Sequence, residues 1–301
     1  MPGSRAAGGE GWEFAAGTLP ERAVERAHVL MELRGEGGAA LVVLDAAGGE
    51  FVRLPPPPPG LAPIALAADG RSILLGRDRT LVRTYFDGGV QEFAGGLPCW
   101  TGALSPGGRY LAALGVDGGT ATVRLLGTAA GERRDLWRAR GGWSAESRLS
   151  WSPDGRLLAC TYLTENVTGE DDDEIATVVL DTGDGTVVAR RDQCGIFLPG
   201  GSWAGPRELL YYHEWADDDL LLLSLDDGTE RPLRTGYDGA LGVHARRLIV
   251  PSDEVPATDG QAEIFTTTLT GRDRRPFVRA HRSPGSLPPR LVDIAPGLAL
   301  P

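Results

Sequence analysis

Three observations predict an all-β chain folded as a six-bladed β-propeller of four-stranded antiparallel sheets, with seven blades as the alternative. A turn signal followed by an apolar strand recurs at intervals near forty residues, hairpins alternate with it, and helical periodicity is missing. The turn-and-strand copies read AADGRSILLG at 67–76, LSPGGRYLAAL at 104–114, WSPDGRLLACTY at 151–162, WAGPRELLYYHE at 203–214 and VHARRLIVPSD at 243–253. Their arginine markers, Arg71, Arg109, Arg156, Arg207 and Arg247, lie 38, 47, 51 and 40 residues apart. Radial packing of small sheets leaves only short edges exposed, which lets many strands coexist in one chain.

Taken in order, residues 1–11 read as a flexible tail of a single domain spanning 1–301. Residues 12–34 are expected to supply the inner strands of the first sheet, with PERAVERA equally able to form a helical turn. Hairpins follow at 40–54, 80–93, 122–137, 176–190, 220–233 and 263–277, each with apolar residues flanking a Gly-containing turn. Glycine there supplies the positive φ that a tight turn demands. The five prolines at 55–59 form a stiff connector between the first two sheets. The segment 284–301 is expected to add a strand beside the N-terminal part and so help close the ring.

The turn phrase carries a resemblance. Trp151-Ser152-Pro153-Asp154-Gly155-Arg156 matches in full the recurring phrase of the TolB-type and WD-repeat-like β-propellers, an aromatic or small residue, then S-P-D-G-R, then an apolar strand. Leu104-Ser105-Pro106-Gly107-Gly108-Arg109 departs by one residue, and Ala68-Asp69-Gly70-Arg71 keeps the second half. The resemblance spans about residues 30–280 and implies architecture, not activity, because such propellers host enzymes, scaffolds and receptors alike. It also implies that the first strand of each sheet is innermost. The connections between sheets, and those joining second to third strands, then share one face, with the S-P-D-G turns on the other.

Composition narrows the function classes. All 30 basic residues are arginine, so lysine Schiff-base chemistry and a phosphate-loop lysine are excluded. A net charge of −11 argues against nucleic-acid binding. The N-terminus MPGSRAAGGEGWEF lacks an apolar h-region and no run is long enough to span a bilayer, which predicts a cytoplasmic protein without membrane attachment. Cys99, Cys160 and Cys194 suggest neither a disulfide framework nor a zinc ribbon, and Cys194 reads as a loop thiol. No G-x-S-x-G elbow or G-x-G-x-x-G fingerprint occurs.

Mapping the second-to-third-strand loops gathers acids on one face. The fourth sheet contributes Glu170, Asp171, Asp172 and Asp173, the fifth His213, Glu214 and Asp217, and the sixth the loop with Asp253, Glu254 and Asp259. Such a rim attracts a basic protein or peptide, and its oxygen ligands suit a divalent cation, although the EF-hand spacing is absent and no cofactor is assigned. The plainer reading is that acidic loops serve solubility. Trp100, Trp143, Arg148, Tyr237 and Asp238 enter the innermost strands and form the candidate lining of a central channel. The sequence therefore predicts a non-catalytic binding or scaffolding module that docks a protein or peptide. The alternatives are a metal-assisted lyase or hydrolase using His213, Glu214 and Asp217, and a small-ligand sensor using the channel. Oligomeric state is left open.

Overall fold

The computed structural model describes residues 11–35, 38–77, 80–93, 99–129, 131–143, 147–164, 175–192, 194–213, 220–235, 239–252, 261–282, 287–295 and 298. The chain begins with β1 (Trp12–Ala15), followed by β2 (Ala27–Gly35), β3 (Gly38–Asp45) and β4 (Phe51–Arg53). Next come β5 (Ala62–Leu66), β6 (Ser72–Arg77), β7 (Thr80–Tyr85) and β8 (Val90–Phe93). A third group holds β9 (Cys99–Leu104), β10 (Tyr110–Asp117), β11 (Thr120–Gly127) and β12 (Arg133–Gly142). The fourth holds β13 (Leu149–Trp151), β14 (Leu157–Thr164), β15 (Ile175–Asp181) and β16 (Val187–Arg191). β17 (Cys194–Ile196), β18 (Trp203–Gly205), β19 (Glu208–His213), β20 (Leu220–Ser224) and β21 (Glu230–Leu233) follow. The last are β22 (Gly242–His244), β23 (Arg247–Pro251), β24 (Gln261–Thr268), β25 (Arg275–His281) and β26 (Arg290–Ile294).

Middle strands are apolar on both faces because each sheet packs against a neighbour on either side. Leu41–Leu44 and Leu157–Tyr162 are continuously buried. Outer strands alternate instead, and β12 carries Arg133, Arg134, Arg138 and Arg140 toward solvent or neighbouring turns. Apolar clusters fill the seams between successive groups. One joins Leu30, Leu41 and Val43 of the first sheet to Leu66, Ile73 and Leu75 of the next. Another joins Val29, Met31 and Leu291 to Ile249, Ile264 and Phe277 of the last sheet. The sheets therefore stand side by side around an axis, an all-β propeller built from four-stranded antiparallel sheets.

Among the described residues these strands form five sheets rather than six separate ones. The reason is local: β12 runs on through Gly141 and Gly142 to pair with Thr164 and Leu163 of β14. That contact fuses two four-stranded meanders into one eight-stranded sheet. A Cβ on Gly141, whose φ is +148°, would lie 2.1 Å from the Leu163 carbonyl oxygen, so the approach requires glycine.

The N-terminal expectation is corrected. β1 does not enter the first sheet; it pairs in parallel with β25 on the outer edge of the last one. Trp12 meets Phe277 edge-on at 5.6 Å and Phe14 packs on Phe51 of β4 at 4.6 Å, so burial of two aromatics across the seam decides the placement. No helix forms in residues 20–26. The innermost strand of the first sheet is β26, paired antiparallel with β2.

The S-P-D-G turn is structural in detail. Ser152 Oγ accepts the Leu157 N–H at 2.9 Å and donates to Asp154 Oδ1, which also accepts the Arg156 N–H. Gly155 takes φ +71°, as Gly70 and Gly108 take +68° and +65°.

Candidate functional site

From β5 onward each group starts innermost and runs outward, with short connections from one outer strand to the next inner one, while β26 supplies the inner strand of the first sheet and β1 the outer edge of the last. Connectivity alone then puts the second-to-third-strand hairpin ends on the same face as the between-sheet connections. The flanking ends Thr164 and Ile175, His213 and Leu220, and Ser252 and Gln261 all belong to such hairpins. The acidic residues Glu170, Asp171, Asp172, Asp173, Glu214, Asp217, Asp253, Glu254 and Asp259 lie between them and outside the described residues; Tyr237 and Asp238, between β21 and β22, also lie outside the described residues.

The other candidates are placed by their strands. Trp100 lies in β9 and His213 ends β19, though their side chains fall outside the described residues. Cys194, read as a loop thiol, is instead in β17, where it is the register partner of His213. Its backbone completes the inner edge of that sheet, which overrides the polar local sequence. Trp143 is half-buried against the cluster that includes Leu136, Leu149 and Tyr162. Arg148 is fixed at its backbone, donating to Thr161 Oγ1 at 2.7 Å and accepting the Thr161 N–H at 3.0 Å. Cys160 is fully buried, and desolvation pushes its thiol far up, away from reactivity. Among the described residues no three His, Cys, Asp or Glu side chains converge on one point.

Sheet-to-sheet contacts use polar side chains that the sequence marks differently. The Trp151 indole donates to the Ala103 carbonyl at 2.9 Å, and the Trp203 indole donates to Ser150 at 3.0 Å. Each tryptophan thereby bonds the innermost strand of the preceding group. At the seam between β26 and β5 the equivalent position is Leu66, which has no side-chain donor. Asp293 takes over there: its carboxylate accepts the Leu66 N–H at 2.9 Å and the Ile294 N–H at 2.8 Å. Desolvation pushes the Asp293 carboxyl up to about 7 against the pull of these donors. His244 also reaches across the ring closure, with Nε2 at 2.8 Å from the Leu298 carbonyl oxygen, and burial lowers its pKa.

Two acids escaped the loop-centred reading. Glu32 and Asp293 each sit singly inside an apolar strand, VLMELRG and RLVDI, and that isolation was the available signal. Glu32 is buried and accepts from Arg34 at 2.8 Å and Arg290 at 3.5 Å. Two arginines of 271–282 pair with carboxylates: Arg275 with Asp273, which also takes Arg247, at 2.9 Å each, and Arg279 with Glu263 at 2.5 Å.

No family model matches the sequence, and no curated protein matches it significantly. Solved structures do. TolB from Acinetobacter baumannii is 16% identical with a TM-score of 0.55, covering 89% of this chain and 67% of that one. A putative TolB from Agrobacterium tumefaciens is 15% identical with a TM-score of 0.51, covering 88% of this chain and 98% of that one. The Pyrococcus horikoshii acylaminoacyl peptidase is 15% identical with a TM-score of 0.51; the match covers 72% of this chain and only 39% of the peptidase. Likeness at this identity is one of architecture, and in fold the chain is a TolB-type β-propeller.

Proposed function

We propose that the chain is a non-catalytic binding module that docks a basic protein or peptide segment on the acidic-loop face of a six-bladed propeller. The observation that carries this reading is the connectivity, which brings the hairpin ends flanking 165–174, 214–219 and 253–260 to one face. Acidic side chains clustered on one face attract cationic partners and steer their approach. Support for six blades comes from the division of the eight-stranded sheet into two meanders joined at two residue pairs, and from the six apolar clusters found among the described residues, each bridging neighbouring groups.

The test uses a fluorescent oligo-arginine peptide as probe, titrated by anisotropy at low and high salt. Binding is expected to weaken with salt and to fall about tenfold or more when Asp171, Asp172 and Asp173 are all replaced by Asn. Binding that ignores both salt and the triple replacement refutes the reading.

A further inference from the structure

The seam between the first two sheets holds a cleft of about 450 Å³, walled by Glu32, Ala39, Leu41, Pro57, Leu61 and Pro63. Its walls come from the loop-face ends of β2 and β3 and from the proline-rich connection into β5. Register explains the polar end. Glu32 lies opposite Arg290 on one side and Leu41 on the other, while Arg34 lies opposite Ala39. Glu32, Arg34 and Arg290 thus share the face of the sheet that looks onto the cleft.

The charges are unevenly spent. Glu32 is 6% exposed at its side chain, and its Oε2 takes both guanidinium groups. Arg34 and Arg290 remain 49% and 42% exposed. Among the described residues their remaining N–H groups find no acceptor. Among the described residues, two cations here share one carboxylate. A buried carboxylate that orients two half-exposed guanidiniums beside an apolar cleft forms a receptor for an anion, and the planar forks suit a carboxylate. Leu287, which is 60% exposed, donates its backbone N–H to the Arg34 carbonyl at 2.9 Å.

We infer that this cleft binds a carboxylate attached to an aliphatic group, with Arg34 and Arg290 receiving the carboxylate and Ala39, Leu41, Leu61 and the prolines receiving the chain. The inference is independent of the acidic-loop reading and concerns ligands of opposite charge.

Hexanoate, hexanamide and hexylamine serve as probes by isothermal titration or ligand-observed NMR, with the full chain. Hexanoate is expected to bind saturably, with the amide and the amine at least about tenfold weaker. Arg34→Gln and Arg290→Gln, both at exposed positions, each weaken hexanoate about tenfold. Ala39→Trp fills the cleft from an exposed strand position and abolishes binding, while the triple Asp171, Asp172 and Asp173 replacement leaves it unchanged. A short peptide ending in a free-carboxylate leucine, compared with its C-terminal amide, tells a chain end from a free acid as the source of the group. Absence of saturable binding by both hexanoate and the free-carboxylate peptide, or binding equal for the amide and the amine or indifferent to Ala39→Trp, overturns the inference.

Discussion

At the scale of single residues, the seams are where chemistry is least forgiving. Asp293 has a carboxyl pushed up to about 7, above its unfolded value, because its ionised form is desolvated between β26 and β5. A raised acid contributes stability that is complete below the unfolded pKa and is lost as pH rises through the folded one. The chain is therefore expected to lose stability between about pH 4 and pH 7. Asp293→Asn should shrink that loss by about 1–3 kcal/mol, since a neutral amide has no charge to desolvate. Urea unfolding at several pH values checks it, and an unchanged pH dependence rules out Asp293 as the source. The tryptophan seams lack this sensitivity, because an indole N–H bonded to a carbonyl does not titrate in this range.

Among the elements, β1 is the one whose position its own sequence conceals. WEFA alternates apolar and polar residues as any edge strand does. The choice between the first and last sheets is made by Phe277 and Phe51, which are remote in sequence and receive Trp12 and Phe14. Because Phe14 is 1% exposed and spans the seam, Phe14→Ala is expected to cost about 3–5 kcal/mol and to shift the unfolding midpoint accordingly. A shift below about 1 kcal/mol in denaturant titration would show that β1 is a loosely attached strap. The S-P-D-G turns were legible because their requirements are local: serine, aspartate and positive-φ glycine satisfy one another within six residues.

For the molecule as a whole, the first and last strands meet at one closure. β26 is the innermost strand of the sheet that begins with β2, and β1 covers the outer edge of the neighbouring sheet. Removing β26 strips Val29 and Met31, both fully buried, of their partners Ile294 and Leu291. A chain ending at residue 286 is accordingly expected to lose cooperative thermal unfolding, as seen by calorimetry. Retention of a single sharp transition at the original midpoint would contradict closure through β26. The same closure fixes the loop face, since opening the ring would let the flanking ends of 165–174 and 253–260 separate.

Much of the architecture is written in the sequence because its determinants act over short distances. Continuous apolar runs such as ALVVL and LLACTY specify strands buried on both faces, and glycine-bearing turns set where they reverse. The acidic composition of the hairpin loops is likewise a property of the chain itself. What only the tertiary structure decided are the long-range meetings: β1 on β25, Gly141 against Leu163, Asp293 on the Leu66 N–H, and Glu32 between Arg34 and Arg290. Glu32 and Arg290 are far apart along the chain, and no periodicity relates them. They become neighbours because β26 pairs with β2, and strand pairing at that separation is settled by the packing of the whole ring.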